Sequence, residues 1–413
     1  MSEATNKGKT QVVIVGGGIM GVCSAYYLLH SQPQAEVEVT LIEESYIAAG
    51  ASGKAGGFLA SDWISPPTAD LGTLSYKLHQ ELALEHGGAE KWGYRGINTY
   101  GVTLDPTQTS PSSVSRAWEP EKNVVFSSVR ATPSPIVQEQ IESWLDTQAI
   151  QSVSILGTDQ TTAQVDPLLF TRELFRLSRE KGLKYLKGEP VRVEMDYQTR
   201  ELENPTRTIR ANKLVIAAGP WTSHVLQKLG IFPPTTTLTL PIIPLPGHSL
   251  ILRPLSSTPL PASAIYASVK GAQAGEYPPC PETFNRPDGT VYLAGANGGV
   301  PVPASVSDSH LLHDRKRFDE LLRSAKLISS HLDVDAGRCE VIKEQLCFRP
   351  LTPDGHSILG EIVKDVLVCT GAGPWGITLG PGMGKVVAEM ILGKERSADI
   401  EGLGVERWLN KPR

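Results

Sequence analysis

Gly16, Gly18 and Gly21 spell G-x-G-x-x-G directly after the β-branched run Val12 to Val15 and before a helix-like stretch. Each glycine has its own task. The first permits a tight turn, the second lets backbone approach a pyrophosphate, and the third lets helix and strand pack closely. The helix that opens at Ile19 and Met20 offers unpaired N–H groups and the positive end of its dipole to phosphate oxygens. Glu43, 22 residues after Gly21 and followed by Glu44, ends the next strand. A carboxylate there accepts hydrogen bonds from ribose hydroxyls and repels a ribose phosphate, which disfavours NADP. The chemistry is dinucleotide binding; this fingerprint alone leaves FAD and NAD both open, with a ligand-free glycine turn as the plainer alternative.

The elements that must position these groups follow from periodicity. Val12 to Val15, a helix through Leu29, and Val37 to Glu43 form a βαβ unit. Leu71, Leu74, Leu78 and Leu82 predict a helix from Asp70 to His86, stopped by Gly87-Gly88. Asp166-Pro167 caps another helix that ends at Gly182. Strands are predicted over Tyr185 to Val193, Ile209 to Ala217, Pro241 to Arg253 and Val366 to Cys369. An amphipathic helix is expected over Ser309 to Leu332 and a last one over Gly384 to Leu392. The Ser-, Thr- and Pro-rich residues 105–135 read as surface loops, and residues between Tyr266 and Asp288 as an insertion with a proline-rich tip.

Composition sets outer bounds. The chain has 413 residues and a net charge of −5, which gives no footprint for nucleic acid or an anionic membrane. No apolar run reaches the length of a spanning helix, and the polar start MSEATNKGKTQ lacks the apolar stretch of a secretory signal. Five scattered cysteines without a CxxC pair argue against disulfide frameworks and zinc cages, so no metal site is expected. A reducing, cytoplasmic location is the expectation.

A second glycine cluster, AAGASGKAGGFLA, follows the βαβ unit. With it the chain resembles the D-amino-acid oxidase (DAO) superfamily of FAD-dependent oxidoreductases, in a fungal-type branch near glycine oxidase and sarcosine oxidase. The matching residues are Gly16, Gly18, Gly21, Glu43 and the segment Ser52, Gly53, Lys54, Ala55, Gly56, Gly57, where the family often has arginine at Lys54. LVIAAGPW, containing Ala218, Gly219 and Trp221, resembles its second nucleotide-side strand, and Val191 matches a backbone contact to adenine. The most specific stretches are LCFRPLTPDGHSILG and GAGPWGITLGPGMGK. Within the latter, Gly371, Gly373, Gly376, Gly380, Gly382 and Gly384 keep backbone accessible at the start of a helix whose N-terminus would face the flavin's pyrimidine edge. Gly373, Trp375, Gly376, Ile377, Thr378 and Leu379 are expected to bind the cofactor, with Thr378 and Leu379 touching that edge. Many relatives carry histidine where Ala372 stands.

The resemblance implies oxidation of a carbon–nitrogen bond. Arg349 matches an arginine that pairs with the substrate carboxylate; a structural arginine bonding loop carbonyls is the competing assignment. Cys347 matches a cysteine that links covalently to flavin in sarcosine and fructosyl-amino-acid oxidases, but the following Arg349-Pro350 matches the non-covalent branch, so a thioether and a plain core thiol both stay open. Tyr292 stands near the position of a dioxygen-activating lysine. Tyr266 and Trp375 are pocket-wall candidates, and the proline-rich insertion either covers the cleft or is a surface excursion. His248 and His356 are the histidines least clearly structural.

The expected fold is α/β. It pairs a Rossmann-like FAD-binding domain (1–68, 155–235, 340–413) with an antiparallel-sheet α+β substrate domain (69–154, 236–339). The expected function is oxidation of a small amino acid or secondary amine with dioxygen as acceptor. The alternatives are an amine dehydrogenase using another acceptor, or an FAD-binding protein whose main role is interaction, as in trafficking. Substrate identity, stereochemistry and oligomeric state are not legible.

Overall fold

The computed structural model describes residues 9–31, 36–107, 117–118, 135–190, 192–195, 200–204, 207–231, 240–273, 275–312 and 314–409. Strand β1 (Thr10–Val15), helix α1 (Ile19–Leu29) and strand β2 (Val37–Glu43) form the opening βαβ unit. Alternation along β1 explains its central place. Val12 and Ile14 enter one core with α1, while Val13 and Val15 enter another on the opposite face. β1 lies inside a six-stranded sheet ordered Ile358–Val363, Val366–Thr370, Lys213–Ile216, β1, β2, Lys184–Lys187. All neighbours are parallel except the Ile358–Val363 edge. The strands therefore come from the beginning, middle and end of the chain. Their carboxyl ends gather Gly16, Glu43, Ala217 and Gly371, the place where open parallel sheets bind ligands.

A second sheet has eight strands, ordered Cys339–Leu351, Ile243–Pro254, Val291–Asn297, Glu282–Asn285, Ser263–Val269, Asn98–Leu104, Ile150–Gly157, Ala117–Trp118. It is largely antiparallel; Asn98–Leu104 with Ser263–Val269 and Ala117–Trp118 with Ile150–Gly157 are its parallel pairs. One face packs Leu250, Leu252 and Leu293 against Phe318, Leu321 and Ala325 of helix Arg315–Ile328. The other face carries Ile251, Ala264, Phe284, Tyr292 and Ala294. The fold is thus α/β, with a parallel Rossmann-like sheet and a separate, mainly antiparallel one.

Close helix contacts aim two helix starts at one place. A Cβ on Gly384 would lie 2.5 Å from the Cys23 backbone carbon, and one on Gly380 2.5 Å from Ile19 Cγ1. Only glycine lets helix Gly376–Ile391 seat against α1 so closely.

Several elements depart from expectation. Tyr185 to Val193 is two strands, Lys184–Lys187 and Arg192–Met195, separated at Gly188 with φ +148°. Ile209 to Ala217 also divides, into Arg207–Ala211 and Lys213–Ile216. Asn212 marks that break: its side chain accepts from Gln11 N–H at 2.8 Å, and its own N–H donates to Gln11 O at 2.7 Å. The expected 309–332 helix is a 3₁₀ turn Val306–Leu311, an α-helix Arg315–Ile328 and a 3₁₀ turn Ser330–Leu332. The last helix begins at Gly376, eight residues earlier than expected. Most of the 105–135 stretch lies outside the described residues. Asp166 caps helix Pro167–Glu180 as expected, accepting from Leu169 N–H at 2.9 Å.

Candidate active site

A single elongated cavity of about 560 Å³ runs from the opening glycine turn to the second sheet, within the size range of small-molecule and cofactor sites. At one end lie Gly16, Gly18, Ile19, Met20, Glu43, Glu44 and Ser52. Gly16 has φ +113°, and a Cβ there would sit 2.3 Å from Ala217 O. Gly18 caps α1 without any side-chain bond. Ile19 N–H donates to Ser52 Oγ at 2.9 Å, which draws the second glycine cluster against the helix start.

Glu43 has a second task that spacing does not show. Its two oxygens accept from Gly17 N–H at 2.7 Å and Ser45 N–H at 2.9 Å, tying the glycine turn to the end of β2. Burial pushes its carboxyl above the usual range, and these N–H bonds pull it back. Each oxygen keeps lone-pair capacity for a ribose hydroxyl. Glu44 accepts the Ser305 hydroxyl, so the segment before Val306 closes over this end.

The middle is built from Ala55, Gly56, Gly57, Ala218, Gly219, Trp221, Ala372, Gly373, Trp375, Gly376 and Ile377, all on the cavity wall. Two expected neighbours turn away. Thr378 is buried with its hydroxyl donating to Phe58 O at 3.0 Å, and Leu379 belongs to the core. Side chains of a helix's first turn spread around its axis, so only Gly376 and Ile377 face the cavity. Gly21 is also behind the wall; a Cβ there would lie 2.0 Å from Gly16 O, which supports its packing task. Lys54 is not a wall residue either. Its ammonium donates to Leu346 O at 2.9 Å, and burial lowers its affinity for a proton. Val191 lies outside the described residues.

At the far end Cys347 and Arg349 reach the cavity from the long strand Cys339–Leu351. Arg349 lies across Gly247, where a Cβ would stand 3.2 Å from its Nη2. That Nη2 donates to Asn297 Oδ1, while Nε is buried without a partner among the described residues. Phe58, Trp63, Tyr266, Phe284, Tyr292 and Trp375 make an aromatic wall, with Phe58 and Trp63 centroids 5.0 Å apart and Trp63 and Tyr266 5.5 Å apart. Tyr292 donates its hydroxyl to Lys54 O at 3.2 Å. Burial raises both the Tyr266 and Tyr292 phenols and the Cys347 thiol, the last offset in part by Arg349 and Lys54.

The sequence reading missed Phe58, Trp63, Phe284, Asn297 and Glu282, all on this wall. Strand alternation in GTVYLAG and ETFN was the available signal. His248 packs edge-on against Phe318 and bonds Ala296 O at 3.3 Å. His356 lies in the loop held by Arg407, away from the cavity wall. The proline-rich insertion is a hairpin tip tied to Arg323, which donates to Glu276 O and Gly275 O, and none of its described residues before Glu282 reaches the cavity.

Comparison with known proteins agrees with this architecture. The family model DAO, FAD dependent oxidoreductase, matches residues 11–390. A Schizosaccharomyces pombe protein designated only as an oxidoreductase, C1F5.03c, is 30% identical over 424 residues, covering 96% of this chain and 97% of its own. The solved glycine oxidase of Geobacillus kaustophilus superposes with TM-score 0.69 at 18% identity, covering 96% of this chain and 98% of that one. The L-amino acid deaminase of Proteus myxofaciens, in complex with anthranilate, gives 0.72 at 18% identity, with 98% and 95% covered. These two structures show the fold. The cavity fits the family's cofactor on its own geometry: a glycine turn so close to the neighbouring strand's end that a Cβ at Gly16 would strike Ala217 O, and two helix starts, at Gly18 and Trp375, whose cap residues make no side-chain bond, opening on one space. The chain belongs to the DAO family of FAD-dependent oxidoreductases, and its cofactor is FAD.

Proposed function

We propose that this protein oxidises the carbon–nitrogen bond of a small amino acid or secondary amine, with dioxygen as acceptor and hydrogen peroxide as product. The observation that carries the reading is Arg349: a guanidinium at the aromatic end of the cavity, held by Asn297 through one nitrogen and with Nε unpartnered among the described residues. Such a fork binds a carboxylate through parallel hydrogen bonds and fixes which hydrogen of the neighbouring carbon faces the cofactor. The similarity to proteins described as a glycine oxidase and an L-amino acid deaminase supports the same substrate class.

When bound, FAD supplies the acceptor for the hydride from the substrate carbon. Gly16, Gly18 and the start of α1 would hold its diphosphate, and Glu43 its ribose. The start of helix Gly376–Ile391 would place N–H groups near the ring, where negative charge gathers on reduction. Phe58, Trp63, Tyr266 and Trp375 exclude water from the reacting carbon. Burial of Cys347 keeps its thiol protonated, which favours FAD held without a thioether.

A dehydrogenase passing electrons to another acceptor is the second reading. It is favoured by Tyr292, a neutral phenol on the cavity wall near the position to which the resemblance assigns a dioxygen-activating lysine. One experiment tests both. Amines are added anaerobically and flavin absorbance is followed, then air is admitted. Bleaching followed by rapid recovery with peroxide supports the oxidase; bleaching without recovery supports the dehydrogenase; a flavin that no amine bleaches ends the proposal.

A further inference from the structure

We infer that Glu282 receives the amine of the substrate, so that the cavity reads a zwitterion by two opposite charges, Arg349 for the carboxylate and Glu282 for the ammonium nitrogen. This rests on the amine-oxidising reading above and narrows its substrate class to α-amino acids.

The carboxyl is out of place as a structural group. Glu282 opens the strand Glu282–Asn285 and pairs directly with Tyr266 and Ala294 on its two neighbours. Two residues on, Phe284 shares its face and stacks on Tyr292, ring centroids 5.7 Å apart. Glu282 thus lines the cavity, half-buried beside this aromatic wall. Burying a carboxylate costs several kcal/mol unless it is paired and hydrogen-bonded. Among the described residues no group donates a hydrogen bond to the Glu282 carboxyl and no side chain forms an ion pair with it. The charge that favours its ionised form is Arg349, yet that guanidinium turns to Asn297. Two opposite charges that line one cavity without closing on each other leave space for a molecule carrying both.

The same placement suits proton transfer. Burial raises the Glu282 carboxyl above its ordinary range, against the pull of Arg349, and the other titratable groups facing it are the Tyr266 and Tyr292 phenols. An amino acid arrives as an ammonium and must lose a proton before its carbon can release a hydride. One N–H bond of the substrate breaks, an O–H bond forms on Glu282, and the electron pair stays on nitrogen. No external oxidant or reductant enters this step. A raised proton affinity moves the carboxyl in the direction that accepting this proton needs.

The test compares the FAD-loaded wild type with E282Q and E282D, each first checked for flavin absorbance and melting temperature. Anaerobic bleaching rates are measured with glycine, L-alanine, D-alanine and L-proline from about pH 6 to about pH 10, and binding of propionate, which has no amine, is read from the flavin spectrum. E282Q should bleach about 100-fold more slowly at neutral pH, approach the wild type as pH rises toward the substrate's own amine pKa, and bind propionate more tightly. E282D should recover part of the neutral-pH rate. If an amino acid bleaches the wild type while E282Q keeps the same rate, pH profile and propionate affinity, Glu282 has no such role and the oxidation reading stands. If no member of the panel bleaches the wild type and propionate does not perturb it, both fall together.

Discussion

His79 donates its Nε2–H to the carbonyl oxygen of Ile377 at 2.8 Å, the oxygen from which Pro381 withholds the usual helical donor. One residue on, the gap is bridged by Ser75. Gly382 N–H donates to Ser75 Oγ at 2.8 Å, and that hydroxyl donates to Thr378 O at 2.6 Å. Helix Ala69–His86 therefore supplies, from behind, the bonds that the proline breaks in the first turns of helix Gly376–Ile391. Those turns face the cavity through Gly376 and Ile377. The direction in which their N–H groups point is set in part by Ser75 and His79, which do not line the cavity.

The bond itself could be donated by either protonation state, but Nδ1 is buried without a partner among the described residues, which favours the neutral imidazole. Burial pushes His79 down to about 4, and its bonds to backbone only partly counter this. A folded pKa below the unfolded value means the unfolded chain binds more protons between the two. The contribution is complete above about pH 6.5 and is lost as pH falls toward 4, amounting to roughly 3 kcal/mol at most. His79→Gln, which keeps an N–H donor but does not titrate, should flatten the fall in melting temperature over that window. His79→Ala should lower stability at neutral pH by about 1–3 kcal/mol by leaving Ile377 O unpaired. A melting curve for His79→Gln with the wild-type pH slope would assign the slope to other groups.

The same proline explains where sequence reading stopped short. Pro381, with Gly376, Gly380, Gly382 and Gly384, carries poor intrinsic helix preference, so the helix was expected only from Gly384. Tertiary bonds from Ser75 and His79 override that preference, and they come from about 300 residues away in the chain. By contrast, β1, α1 and β2 were legible because their period, glycine spacing and terminal carboxylate are all local. The same holds for the walls near Gly56 and Trp221. The substrate end was half legible. Arg349 could be carried over by motif, but Asn297 and Glu282 lie on strands brought beside it by sheet pairing. Gly247 was a missed hint: a glycine inside a strand marks close approach, here of the Arg349 side chain.

Gly16→Ala should yield protein with little bound flavin. At φ +113° an alanine is strained, and its Cβ would meet Ala217 O at 2.3 Å, a backbone atom that cannot swing aside. Relief requires the turn to move off the cavity wall. The expected readouts are a Kd for FAD raised at least about 100-fold, equivalent to about 2.7 kcal/mol, and a lower ratio of flavin to protein absorbance after purification. Full yellow colour with unchanged Kd would show that the turn tolerates the displacement.

Cys347 decides how the flavin is held. The thiol lines the cavity, yet burial raises its pKa, and Arg349 and Lys54 only partly offset this. Attack on a flavin carbon needs the thiolate, which is scarce under these conditions. Acid precipitation should therefore leave a yellow supernatant and a colourless pellet, and Cys347→Ser should retain flavin with the same spectrum. A coloured pellet from the wild type and a colourless one from Cys347→Ser would establish the thioether instead.

Arg349 should act in binding rather than in folding. Lysine in its place keeps one positive charge but loses the planar fork. Arg349→Lys should reduce kcat/KM for the bleaching amino acid about 100-fold, mainly through KM, with flavin content and melting temperature close to wild type. Asn297→Ala removes the acceptor that aims Nη2 and leaves the guanidinium in place. Its effect should be smaller, about 10-fold in KM, because orientation is lost while charge remains. The two losses should not add, since both act on one carboxylate contact; the double variant should resemble Arg349→Lys alone. Should both variants instead lose melting temperature while KM for the amino acid stays unchanged, the guanidinium would be a brace between the strands Val291–Asn297 and Cys339–Leu351, and the carboxylate would have to be bound elsewhere in the cavity.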